Sequence, residues 1–335
     1  GAVNGILAAL DAPALEADGV ANSDSPEFAA AAMKALALLS RESPKALKEM
    51  LAGGAVDWAI HNLTDEKLKM NEAVVEASLK FLAALVEDPS DQSARADVVK
   101  KVVKAGAVDP SVMALFNHPD HKGIQEAGQN VIRLIVGPEA VASMVDTLRK
   151  NLAKLKLIED PTATDVRMVE IPAMALAAFA SYNADAIIQG GGVKALVELL
   201  KWATVQRNMP RQEEVLAACM VALKALAVED DEESSANLFE LLAEEDGVSA
   251  VAAAVKKHPK LVSSAKTGIQ LMGVLALSPN SHNELINNDG IEAAVGGLKR
   301  NNGDVGMNNA TVQMYGRLAL DPLGAAEVAG RGGVK

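Results

Sequence analysis

Gly53-Gly54-Ala55-Val56-Asp57-Trp58-Ala59-Ile60-His61-Asn62-Leu63 reads as a glycine corner followed by a short apolar helix, and the pattern returns along the chain. Gly191-Gly192-Val193-Lys194-Ala195-Leu196-Val197-Glu198-Leu199-Leu200 is its clearest copy. Gly106-Ala107-Val108, Gly247-Val248 and Gly290-Ile291-Glu292-Ala293-Ala294-Val295 open others. Gly1-Ala2-Val3 and Gly332-Gly333-Val334 stand at the two ends. Measured from the last glycine of each corner, the intervals are 53, 52, 86, 55, 43 and 43 residues; 86 is twice 43, so one corner is hidden there. A period of about 40–47 residues carried by helices alone belongs to α-solenoids, and the longer intervals hold a longer linker. In such an array no unit buries its own apolar face; neighbours stack and share a continuous core.

Composition agrees. Half of the 335 residues are apolar but only 3% are aromatic, so Ala, Leu and Val supply the core. Ala and Leu are strong helix formers, and no sustained alternation of β-branched and aromatic residues argues for a sheet. The formal net charge of −12 argues against a nucleic-acid role, because neutralising phosphates takes a basic face. The longest apolar runs fall far short of the ~20 residues a membrane span needs. No secretory signal is visible, and the one cysteine, Cys219, permits no intrachain disulfide. A reducing, cytoplasmic setting is expected, with nuclear or cytoskeleton-associated locations still open. Both ends lie within a unit, so residues 1–335 are expected to form a single array of about six full units with partial units at both ends, cut from a longer array.

Long and short helices alternate. Ser25-Pro26-Glu27 starts one helix and Ser43-Pro44 the next: serine caps, proline suits the first turn, and glutamate suits the positive helix end. Further long helices are expected over 71–86, 122–136, 163–180, 211–228, 260–277 and 305–320. In the third unit no corner follows Gly137-Pro138, so two helices are expected to fuse there. Asn283-Glu284-Leu285-Ile286-Asn287-Asn288-Asp289-Gly290-Ile291-Glu292-Ala293-Ala294-Val295 resembles the armadillo repeat, in which a short first helix ends in an acidic residue and glycine before a second helix. The long helices resemble the family's third helix. The resemblance covers nearly the whole chain and implies an all-α fold, an armadillo-type α-solenoid forming a right-handed superhelix of three-helix repeats.

What the resemblance implies for function is coarser: third helices lining a groove that docks extended partner segments. The family's nuclear import adaptors carry Trp and, four residues on, Asn on those helices, and this chain does not. Trp58 and Asn62 have the spacing but fall on a second helix, where packing explains them, as it does Trp202. The candidate partner-binding residues are instead Lys34, Lys80 and Lys224, each just before a similar apolar step, with Asn130, Met174 and Gly273 at comparable places in the intervening units, to within one residue. They read as a broken lysine column for an acidic segment, against the plainer reading of scattered solvated lysines.

No pattern argues for catalysis, a cofactor or a metal. Glu229-Asp230-Asp231-Glu232-Glu233 and Glu244-Glu245-Asp246 read as a solvated linker and helix start rather than a calcium loop, which needs a different spacing. His118-Pro119-Asp120-His121 lacks the third and fourth ligands of a zinc site. Gly190–Gly192 has no Lys-Ser/Thr after it and so is no phosphate loop. The expectation is a non-enzymatic protein-binding scaffold or adaptor whose partner is acidic or filament-associated, a cytoskeletal connector being one form. The alternative is a regulator of a nucleotide-binding protein, either a chaperone exchange factor or a small-GTPase stimulator.

Overall fold

A computed structural model describes residues 1–12, 25–87, 92–118, 120–227, 232–301 and 303–331. All regular structure among them is helical. The chain divides into two compact units, 1–137 and 138–335.

In the first unit, α1 (Ala2–Leu10), α2 (Pro26–Glu42), α3 (Pro44–Ala52), α4 (Ala55–Thr64), α5 (Glu72–Val86), α6 (Gln92–Lys104), α7 (Val108–Asn117) and α8 (Lys122–Ile135) follow in order. The period appears as equivalent helices in successive three-helix repeats. α2, α5 and α8 are long third helices, α3 and α6 are first helices, and α4 and α7 are second helices. α2 packs on α5 and α5 on α8, so the third helices form one layer. α5, in the middle, is buried on nearly every side, with Leu79, Phe81 and Leu82 fully enclosed. Ser25 and Ser43 accept from the amides of Phe28 and Ala46, both at 3.3 Å, as their Ser-Pro starts require.

The second unit holds α9 (Pro138–Leu155), α10 (Ala163–Gln189), α11 (Gly192–Val205), α12 (Gln212–Lys224), α13 (Glu232–Ala243), α14 (Gly247–Lys257), α15 (Val262–Leu275), α16 (His282–Asn287), α17 (Gly290–Arg300), α18 (Val305–Leu318) and α19 (Pro322–Gly330). Its third helices, α10, α12, α15 and α18, again pack in sequence, and its second helices, α11, α14 and α17, form a parallel row. α9 is the fused pair expected after Gly137. α10 runs through the two helices expected at 163–180 and 184–189, with the joint marked by Asn183 at φ −138°, ψ 32°. Pro172 lies inside α10 and has no N–H for the carbonyl four residues back. That carbonyl, of Met168, accepts instead from Asn151 Nδ2 of α9 at 2.7 Å.

The corners have a sharper logic than glycine as helix terminator. The residue before four of the second helices is left-handed: Gly54 (φ 80°), Gly191 (φ 71°), Asp246 (φ 51°) and Asp289 (φ 61°); before α7 the left-handed residue is Gly106 (φ 89°), one position earlier. Gly192, Gly247 and Gly290 come one residue later and are needed for space. A Cβ on Gly290 would lie 2.7 Å from the carbonyl oxygen of Leu285, and one on Gly192 would lie 2.9 Å from that of Ile187.

Within each compact unit, neighbouring three-helix repeats are tied through the ends of their second helices. His258 Nε2 lies 2.9 Å from the Thr204 carbonyl, His118 Nε2 lies 2.9 Å from that of Lys69, and Asn301 Nδ2 donates to that of Pro259 at 2.8 Å. Gln125 and Gln212 reach back from the starts of α8 and α12 to carbonyls of the preceding second helix at 2.7 Å. These side chains satisfy carbonyls that helix ends leave without a partner.

Candidate functional site: a groove across the third helices

Ser25, Asn71 and His121 cap α2, α5 and α8, and each side chain accepts a backbone N–H three residues on. Lys34, Lys80 and Asn130 each stand nine residues after their cap, so equal phase brings them to the same side of three adjacent helices. They line one groove of 620 Å³, together with Leu38, Arg41, Glu87 and Glu126. Its floor is Ala37, Ala77, Ala83 and Ala127; small side chains leave the trough open where larger ones would fill it. Leu38, 64% exposed, is its large apolar surface.

The polar groups fall into two sets. At one end Arg41 Nη2 meets Glu87 Oε2 at 3.2 Å, Asn130 Nδ2 donates to Glu87 Oε1 at 2.6 Å, and Arg133 Nη2 donates to Asn130 Oδ1 at 2.7 Å. This chain crosses all three helices and carries two guanidinium groups for one carboxylate. Asn130 is thereby engaged at both amide atoms and acts as a strut. In the other set Lys80 Nζ lies 2.5 Å from Glu76 Oε1, and Glu126 lies 3.6 Å from Lys122 Nζ. Glu76 rests against bare backbone, since a Cβ on Gly123 would come within 2.6 Å of its Oε1. Gly123 belongs to the first turn of α8, where the helix end favours an anion. Lys34 has no ion pair among the described residues.

Lys224 is not brought to this place. It lies in the second unit, thirteen residues after Arg211, the residue capping α12. The burial pattern of α12 matches that of α5 with Val221 in the place of Lys80. The shared Lys-Ala/Phe-Leu-Ala string is therefore shifted by three residues, about one turn along the helix. Lys224 Nζ contacts Gln270 Oε1 at 3.4 Å. Met174 is buried at 4% exposure, and the carbonyl of Gly273 accepts from Arg317 Nη1 at 2.7 Å.

The remaining candidates have structural partners. Asn62 is fully buried and donates to Ser78 Oγ at 3.2 Å. His121 caps α8 through Nδ1, with Nε2 3.6 Å from Glu72, while His118 turns to Lys69; Pro119 lies outside the described residues. Glu245 pairs with Lys194 at 3.1 Å and Asp246 with Lys201 at 3.3 Å, whereas residues 229–231 lie outside the described residues. Burial pushes the Cys219 thiol far up. Among the described residues no three His, Cys, Asp or Glu side chains converge as a metal site, and no helix is long and apolar enough to cross a membrane.

Sequence reading missed the pair Glu170–Arg211. Glu170 is 1% exposed, and Arg211 grips both its oxygens, Nε to Oε2 at 2.5 Å and Nη2 to Oε1 at 2.6 Å. The residues are far apart in sequence, and Glu170 sits in an apolar run, so only the packing of α10 on α12 reveals it.

Three-helix units, left-handed corners and stacked third helices decide the architecture. The chain has an armadillo-like repeat fold. Compared with known sequence families and with curated proteins, it matches none. Among solved structures, an engineered protein is 20% identical with a TM-score of 0.46, the alignment covering 100% of this chain and 82% of that one. A structure concerned with a phosphorylation switch in the interaction between cadherin and beta-catenin is 15% identical with a TM-score of 0.43, covering 97% and 62%. A designed armadillo repeat protein in complex with the peptide (KR)4 is 15% identical with a TM-score of 0.34, covering 81% and 99%.

Proposed function

We propose that the protein is a binding scaffold whose first unit docks an acidic segment of a partner protein in the groove across α2, α5 and α8. The observation that carries this reading is the equal phase of Lys34 and Lys80 beside exposed Leu38 over a floor of alanines. Three cationic side chains line the trough against two carboxylates, in a chain whose net charge is −12. The unpaired ammonium of Lys34 offers a partner carboxylate a contact without first breaking an internal pair. Leu38 offers the segment apolar area, and each buried Å² contributes roughly 25 cal/mol. A rigid layer of helices holds these groups in place before the partner arrives, which lowers the ordering cost of binding.

The test is a photocrosslinking amino acid placed at position 38, compared with one at the exposed Glu198 of α11, in native extract. Position 38 is expected to capture a protein that position 198 does not, and Lys34→Glu with Lys80→Glu is expected to weaken the capture. Identical captures from both positions, or a capture indifferent to the double reversal in a chain that keeps its helical circular dichroism, would remove the proposal.

A further inference from the structure

A second cavity, of 340 Å³, lies in the first unit away from the third helices, lined by Asp11, Gly53, Gly54, Asp57, Trp58 and His61. Its elements are the end of α1, the α3–α4 corner and the first two turns of α4. Trp58 is half-buried, and its Nε1–H donates to Asp11 Oδ1 at 3.0 Å. The His61 ring stands edge-on to the indole, with centroids 5.3 Å apart and an interplanar angle of 86°. The indole is thus fixed on two sides. The glycine corner contributes no side chain to fill the space beside it.

The charge in this cavity is one-sided. Asp11 and Asp57 are both exposed, and among the described residues neither has an ion pair. No Lys or Arg lines the cavity. An aromatic face attracts a cation through its quadrupole. A carboxylate accepting the indole N–H pushes electron density into the ring and strengthens that attraction. We infer that this cavity is a binding site for a compact organic cation, the guanidinium or alkylammonium head of a partner's side chain, held against the Trp58 face between the carboxylates of Asp11 and Asp57. This differs from the groove in place and in sign, so the two proposals stand or fall separately.

The experiment uses the full chain carrying Trp202→Phe, which leaves Trp58 as the sole tryptophan. Its emission is titrated with N-acetyl-arginine amide, with N-acetyl-trimethyllysine amide, and with N-acetyl-citrulline amide as the uncharged isostere of arginine. A saturable change with at least one cation, absent with citrulline, is expected; the stronger of the two identifies the head group. Asp11→Asn with Asp57→Asn keeps an oxygen acceptor for the indole N–H and removes both charges, and is expected to weaken binding about tenfold. No saturation with either cation, an equal response to citrulline, or unchanged affinity in the double variant overturns the inference. Should that variant lose its helical circular dichroism, the Trp58 indole N–H resonance of the natural sequence decides. A saturable shift with a cation and none with citrulline supports the site; any other result sinks it.

Discussion

At the residue scale, the strongest single dependence is Arg211. It holds the buried carboxylate of Glu170 and is itself left-handed, at φ 55°. Taking away the guanidinium leaves an uncompensated buried charge, a loss of about 3–5 kcal/mol. A left-handed backbone costs a residue with a Cβ roughly 1–2 kcal/mol, which glycine avoids. Arg211→Ala and Arg211→Gly should therefore both lower stability in urea unfolding, glycine by about 1 kcal/mol less; equal losses would contradict the assigned backbone cost. Asp165 gives a second prediction. The Thr162 hydroxyl and backbone amide both donate to its Oδ2, at 2.6 and 2.9 Å, and hold its carboxyl below the ordinary 3.8. The sign follows: this carboxylate supports the folded state above pH 3.8, and its support is lost as pH falls through the lowered value. In an NMR titration Thr162→Val should return the Asp165 midpoint toward 3.8; an unmoved midpoint would show that the hydroxyl is not the cause.

At the element scale, the glycine corners show both what sequence discloses and what it conceals. Their recurrence locates the second helices, because few residues other than glycine suit a tight helix-to-helix joint. Their spacing cannot say which corner residue is left-handed and which is merely crowded. At Asp246-Gly247 the two roles are separate: Asp246 has φ 51°, while a Cβ on Gly247 would meet the Leu242 carbonyl oxygen at 3.0 Å and Leu242 Cδ2 at 2.6 Å. Gly247→Ala should therefore cost about 1–3 kcal/mol through overpacking. Asp246→Gly should be neutral or stabilising, since the exposed pair with Lys201 contributes little. Thermal unfolding of the two variants compares them, and a harmless Gly247→Ala would mean that the corner relaxes. The same limit explains Lys224. Its local string resembles those around Lys34 and Lys80, but place along a helix counts from the cap, and the sequence shows no side-chain cap at Arg211. Ser25 and Asn71 are legible caps, and the lysines nine residues beyond them do meet in one groove.

At the scale of the whole molecule, charge supplies the remaining test. The period and the composition make the helical repeat legible without a single long-range contact, since each unit repeats the same local instructions. Net charge is equally legible, but its local reversal in the groove depends on which helices become neighbours. An acidic partner approaching a chain of formal charge −12 meets repulsion from afar and attraction near Lys34, Arg41 and Lys80. Salt screens charges beyond about 8–10 Å most strongly and close contacts less. Raising ionic strength should therefore weaken the far repulsion as well as the near attraction, and binding of the acidic segment should depend only shallowly on salt. Each Lys→Glu reversal changes the charge by two, so Lys34→Glu with Lys80→Glu takes the chain from −12 to −16. With attraction in the groove reversed, only repulsion is left for salt to screen. The residual affinity of the double variant should then rise with ionic strength, opposite in slope to a simple ion-pair interface. Binding measured from about 50 to 500 mM salt checks this, a range over which the screening length falls from beyond 10 Å to a few ångströms. A double variant whose affinity fell with salt as steeply as that of the natural sequence would show that the partner's contacts lie on other charges than these two lysines.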